Sequence, residues 1–266
     1  MSESTGVTVT LSTSSVYPLG PAQAFEIAES LGYDGIEVMV LADPATQDAA
    51  GLRELSERHG LPIRSIHAPT LLVTQRVYGT SPWDKVDRSI ELAHDVDADV
   101  VVLHPPFRWQ KEYAASFVEG VAAREKEFGL VLAVENMYPW RAGRHVQAYL
   151  PGWDPVPQPY EHVTLDLSHA ATARSDVLQM QADLGSRLAH VHLTDGSGSP
   201  KDEHLVPGCG SQPCEEFLHR LARDSYEGVV AVEVGTRKQK AEGREAYLRE
   251  SLEFARTHFA RGLADR

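Results

Sequence analysis

The chain has 266 residues, with 25 Lys+Arg against 38 Asp+Glu, a formal net charge of −13. Its 42% hydrophobic and 24% charged residues are those of an ordinary folded protein, long enough for one large α/β barrel or two small domains. The acidic balance argues against a nucleic-acid partner, whose binding needs Lys and Arg to neutralise phosphates, and no run approaches the roughly 18 apolar residues that span a bilayer.

The start, Met1-Ser2-Glu3-Ser4-Thr5, has neither a basic nor an apolar segment, so no secretory signal is expected. Cys209 and Cys214 are too few for a disulfide scaffold and suit a reducing compartment. The expectation is a cytoplasmic protein acting on a small molecule, away from membranes; a homo-oligomer stays open.

Eight short runs rich in Val, Ile or Leu read as strands: Val7–Leu11, Gly35–Val40, Ile63–His67, Val100–His104, Leu130–Glu135, His162–Leu167, Leu188–Leu193 and Gly228–Val234. Between them the spacing is mostly helical. Pro21–Leu31 opens on Pro and stops at Gly32. Val86–Val96 follows the start signal Ser81-Pro82, Phe117–Phe128 and Cys214–Leu221 read alike, and Glu245–Phe259 aligns Leu248, Leu252, Ala255 and Phe259 on one face. Near-continuous apolar strands alternating with helices predict a parallel sheet covered on both faces. Eight such units, with no GxGxxG in the first turn, predict a single (β/α)8 TIM barrel over residues 1–266 and not a doubly wound sheet. Tyr138–Tyr160, with five prolines and two tryptophans, is expected to replace a helix by a loop over the active face.

Catalytic groups of such barrels stand at the C-terminal strand ends. Here those ends carry Glu37, His67, His104, Glu135, Asp166 with His169, His192, and Glu233, and the loop after the seventh strand adds Asp202 and His204. Carboxylates at an apolar mouth are costly unless a cation compensates them. Mixed imidazole and carboxylate donors favour Zn²⁺ or Mn²⁺ over the oxygen-preferring Mg²⁺ and Ca²⁺. Tyr17, Trp109, Tyr138 and Trp140 are expected to wall a substrate.

The set Gly32-Tyr33-Asp34-Gly35-Ile36-Glu37, His67-Ala68-Pro69, Val134-Glu135-Asn136, Asp166-Leu167-Ser168-His169, His190-Val191-His192-Leu193-Thr194-Asp195 and His204 with Pro207-Gly208-Cys209-Gly210 resembles the xylose-isomerase-like TIM barrels over nearly the whole chain. That superfamily holds sugar isomerases, sugar epimerases and the endonuclease IV enzymes. The resemblance implies that Glu135, Asp166, His192 and Glu233 hold a divalent metal, that Glu135 and Glu233 move a proton in enediolate chemistry, and that His169 touches substrate oxygens. Its endonuclease IV branch implies a different outcome. There three zinc ions use nine positions, filled here by His67, His104, Glu135, Asp166, His169, His192, Asp202, His204 and Glu233.

The two branches leave two expectations. One is a metal-dependent isomerase or epimerase of a small sugar, sugar phosphate or polyol-derived ketose. The other is a multinuclear zinc hydrolase of a phosphate ester, with one to three ions between the two. The endonucleases carry basic DNA-binding loops, whereas Arg141 and Arg144 are isolated here and Arg237-Lys238-Gln239-Lys240 is the only basic run. Ketose epimerases carry an Arg shortly after the strand-seven His, where this chain has Gly196-Ser197-Gly198-Ser199.

Overall fold

A computed structural model describes residues 6–70, 74–141 and 145–266; Met1–Thr5 and Arg144 lie outside the described residues. Eight parallel strands close on themselves: β1 (Thr8–Ser12), β2 (Gly35–Met39), β3 (Ile63–His67), β4 (Val100–Leu103), β5 (Val131–Glu135), β8 (Val163–Asp166), β9 (Leu188–Leu193) and β10 (Val229–Val232). Residues Trp140–Arg141 (β6) and His145–Val146 (β7) form a separate two-stranded antiparallel ribbon. β1 pairs with both β2 and β10, so the sheet has no free edge. The (β/α)8 barrel expected from the eight apolar runs is the fold.

Helices α1 (Pro21–Leu31), α2 (Ala49–His59), α3 (Pro82–Asp95), α4 (Lys111–Phe128), α5 (Leu167–Ala173), α6 (Val177–Leu184), α7 (Cys214–Arg223) and α8 (Ala241–Ala264) lie between and after the strands. Their ends follow local chemistry. Ser81 Oγ accepts from the Asp84 amide at the start of α3, and Asp176 accepts from the amides of Leu178 and Gln179 at the start of α6. Gly32 takes φ +83° to end α1. The strands are almost wholly buried, with β4, β8 and β10 fully so, because helices cover the outside while side chains fill the lumen.

Strand boundaries match the sequence reading to within two residues, whereas α3, α4, α7 and α8 run longer than expected. No helix separates β5 from β8 among the described residues; the Pro- and Trp-rich stretch carries the β6–β7 ribbon instead. Asp195, at the top of β9, organises the next loop by accepting from the amides of Gly208, Gly210 and Gln212 at 2.8–3.0 Å. Both cysteines are free, Cys209 exposed and Cys214 buried. Among the described residues no helix is long and apolar enough to cross a membrane.

Candidate metal centre

Strand register decides which side chains meet. Asp166 on β8 lies level with His192 on β9, and β10 brings Glu233 up just beyond Val232. His192 Nδ1 then lies 2.9 Å from Glu135 Oε1, 3.0 Å from Glu233 Oε2 and 3.7 Å from Asp166 Oδ2. One atom from each of these four residues falls within 4.8 Å of the others, and all four are buried. A ring nitrogen carries at most one proton, so it cannot satisfy three carboxylates. Asp166 Oδ2 and Glu135 Oε2 have no hydrogen-bond partner, although His104 Nε2 lies only 2.7 Å from the latter. These donors aim at a shared point more than at one another, which is the arrangement a divalent cation completes. The residues fit such an ion.

Two further groups flank this centre. His67 and His104 bring Nε2 to 3.3 and 2.7 Å of Glu135 Oε2, their rings meeting edge to face at 4.8 Å. On the opposite side His169 and His204 place Nε2 at 3.1 and 2.8 Å from Asp202 Oδ2, and both lie with Asp166 in a second candidate ligand group. All nine residues singled out from the sequence thus reach one barrel mouth, in three adjoining groups that share Glu135 and Asp166. His204 holds a left-handed backbone, φ +46°, while its Nδ1 contacts the Glu233 carbonyl oxygen at 2.8 Å. Such a conformation costs energy for a non-glycine residue and persists where its surroundings enforce it.

The supporting side chains are as specific as the ligands. Asp166 is the N-cap of α5, and its Oδ1 accepts from the His169 amide at 2.6 Å, which leaves Oδ2 turned to the centre. Asn136 brackets the same residue, donating Nδ2–H to the Asp166 carbonyl and accepting the Asp166 amide. Ser14 Oγ donates to Glu233 Oε1 and Ser168 Oγ to Asp202 Oδ1.

Glu37 is a correction to the ring of strand-end residues. Register puts it level with Ser65, whereas Met39 is the residue level with His67, so Glu37 sits one layer deeper. There its Oε1 approaches His192 Nε2 at 3.1 Å, its Oε2 approaches His190 Nε2 at 3.1 Å, and Ser65 Oγ donates to Oε2 at 2.8 Å. A carboxylate on Nε2 keeps a proton there and leaves the Nδ1 lone pair for the cation. His190 was not singled out as a functional residue from the sequence. Its signal was the two-residue spacing from His192, which puts both rings on the lumen face of β9.

Electrostatics agree with this division. Burial opposes the charge of Glu135 and Glu37, yet His192 with His104 in one case and His190 in the other hold both well below the usual carboxylate range. Burial likewise disfavours a charged His192, but Glu233, Glu37 and Glu135 raise it well above the ordinary histidine value. Asp166 is pushed up to about 6 by burial, against the opposing pull of His169 and His204. His204 rises to about 10 because Asp202 and Asp166 overcome its burial.

Above the centre lies a cavity of about 240 Å³, walled by Met39, Phe107, Met137, Tyr138, Trp140 and Tyr149 and floored by seven of the candidate ligands. Tyr138 and Trp140 line it as expected, with the Tyr138 ring 5.1 Å from His169. Trp109 and Tyr17 do not. Trp109 stacks flat behind Phe107 at 4.7 Å and is half exposed, and Tyr17 faces the Arg237 guanidinium at 5.3 Å, outside the cavity. No Lys or Arg lines the cavity among the described residues.

The model of the xylose isomerase-like TIM barrel family matches residues 25–258. The chain belongs to that family. It is 46% identical to an uncharacterised protein of Mycobacterium tuberculosis over 96% of this chain and 99% of the relative. It is also 23% identical to fructoselysine 3-epimerase of Shigella flexneri, over 80% of this chain and 84% of that enzyme. Among solved structures, 3-keto-D-glucoside 4-epimerase from E. coli superposes with a TM-score of 0.69 over 94% of this chain and 99% of that one, at 17% identity. That likeness is one of fold.

Proposed function

We propose that this protein is a divalent-metal-dependent isomerase or epimerase of a small, sugar-like carbonyl compound. The observation that carries this reading is the convergence of Glu135, Asp166 and Glu233 on His192 Nδ1, directly beneath a cavity with an aromatic wall. The volume of about 240 Å³ falls below the roughly 300–1,000 Å³ of pockets for drug-sized ligands, which matches a monosaccharide-sized substrate. Family membership and the two epimerases above support the same class of chemistry.

Glu135, Asp166, His192 and Glu233 would hold the ion, Zn²⁺ or Mn²⁺ by the chemistry of the donor set. When bound, it would polarise a carbonyl oxygen and so acidify the adjacent C–H. Glu135 and Glu233 would remove and return the proton, each with one oxygen beside His192. Ser14 fixes the Glu233 carboxylate through Oε1. Tyr138, Trp140 and Tyr149 would hold an apolar face of the sugar and exclude water, while His169 sits within reach of substrate hydroxyls.

A second reading, a multinuclear zinc hydrolase of a phosphate ester, is favoured by one observation: the flanking His67–His104 and His169–Asp202–His204 groups. Against it stands a cavity that no Lys or Arg lines among the described residues. The test combines metal content with solvent-deuterium exchange. One Zn²⁺ or Mn²⁺ in the barrel mouth and deuterium incorporation into a ketose, abolished by Glu233→Gln, support the isomerase. Two or three zinc ions with hydrolysis of a nitrophenyl phosphate, and no exchange, overturn it in favour of the hydrolase.

A further inference from the structure

A second candidate cation site lies on the outside of the barrel, between α7 and α8. The two helices run side by side in fixed register: Glu215 meets His258, His219 meets Gly262, and Ala222 meets Arg266. Gly262 makes the approach possible, because a Cβ there would lie 2.6 Å from the His219 Cα and carbonyl oxygen. Glu215 and His219 are one turn apart and therefore share a face of α7.

The result is a three-donor group. His258 Nδ1 lies 3.5 Å from Glu215 Oε1, the His219 and His258 rings are 5.5 Å apart, and one donor atom of each residue lies within 4.8 Å of the others. Tetrahedral zinc with bonds of about 2.0–2.1 Å separates its ligand atoms by about 3.3 Å, so the Glu215–His258 edge is already near that length. His219 Nε2 and His258 Nδ1 are buried and have no hydrogen-bond partner in the structure. Two adjacent buried imidazole nitrogens without partners, facing a carboxylate, need an explanation. Protonating both would set two cations against each other, with Arg261 also acting on His258. A divalent ion satisfies both lone pairs and the carboxylate at once. Phe254, packed on the His258 ring at 4.3 Å, limits the ring's freedom before any ion binds.

We propose that Glu215, His219 and His258 bind a borderline-soft divalent cation, with Zn²⁺ the best fit, which clasps α8 to α7 and takes water as its remaining ligand. The Glu215 side chain is 58% exposed, so ions enter from solvent without opening the barrel. This site is independent of the chemistry at the barrel mouth. It joins the helices on either side of β10, the strand that leads into Glu233.

The test is equilibrium dialysis of the full-length protein against micromolar Zn²⁺, with bound metal counted per chain. Wild type is compared with Glu215→Ala, His219→Ala and His258→Ala. The expected result is one zinc equivalent fewer in each variant, a smaller zinc-induced rise in melting temperature, and turnover at the barrel mouth unchanged. Glu215→Ala alters only an exposed side chain, so it tests the site even where a histidine variant folds poorly. Equal zinc content in wild type and Glu215→Ala, or occupancy only at millimolar zinc, overturns the clasp. Loss of activity at the mouth with all zinc equivalents retained likewise overturns the clasp, because these side chains would then act on the barrel without holding an ion.

Discussion

At the scale of single residues, the most informative side chain is one that touches no substrate. Glu37 holds the Nε2 side of His192 while the Nδ1 side faces three carboxylates. Loss of such an orienting carboxylate typically weakens metal binding about 10–100-fold. Glu37→Gln is therefore expected to lower metal affinity by that factor and to recover turnover at saturating metal, measured by metal titration of activity. A pH dependence follows from Asp166. Burial places its pKa at about 6 in the folded, metal-free protein, above the ordinary 3.8, so the folded state holds that proton more tightly than the unfolded chain. Its contribution to metal-free stability thus declines as pH rises from about 4 to about 6. Cation binding must displace the proton, so affinity falls as pH drops below about 6; isothermal titration at several pH values checks this, and a flat profile from 5 to 7 contradicts it. The nine candidate ligands were legible because His and acid at strand ends, and in the loop after the seventh strand, stand out against apolar runs. His190 was not, since its own position lies mid-strand. Tyr17 and Trp109 were chosen for aromatic type alone, and type does not say which way a loop side chain turns.

At the scale of elements, the sequence located strands better than helices. Strand runs are continuous and apolar, whereas α2 buries only Leu52 fully and so carries little periodic signal. The short α5 and α6 were hidden because α5 begins directly on the strand-end Asp166, whose carboxylate is both its cap and a candidate ligand. α4 shows packing overriding propensity. Gly120 lies mid-helix, where alanine would normally gain up to about 1 kcal/mol. A Cβ there would collide with the Trp83 indole, which is held by Arg124 over its face at 3.9 Å and by Ser116 at its Nε1. Overpacking of this kind costs about 1–3 kcal/mol, so Gly120→Ala is expected to destabilise on balance, read as a lower midpoint in denaturant unfolding.

At the scale of the whole molecule, closure and the metal centre are linked. Glu135, Asp166, His192 and Glu233 come from four neighbouring barrel units, β5, β8, β9 and β10, and their carboxylates are buried together. Removing the cation leaves that charge balanced only by protons on groups such as His192. Chelation is expected to lower the melting temperature, and re-addition of metal at about 100 times its Kd to restore about 2.7 kcal/mol, measured by thermal denaturation with and without chelator. An unchanged midpoint would show that no ion stabilises the fold.

Composition and the order of apolar runs were enough to determine a parallel barrel and to name the polar residues at its mouth, because a strand's burial and its end are properties of local sequence. Depth within the lumen, the ring nitrogen that faces the carboxylates, and the walls of the cavity were decided only by tertiary structure. Those depend on strand register around a closed sheet and on where long loops return. Glu37 and His67 end neighbouring strands in the sequence reading, yet pairing sets them two residues apart in height, one orienting a histidine and the other flanking the centre.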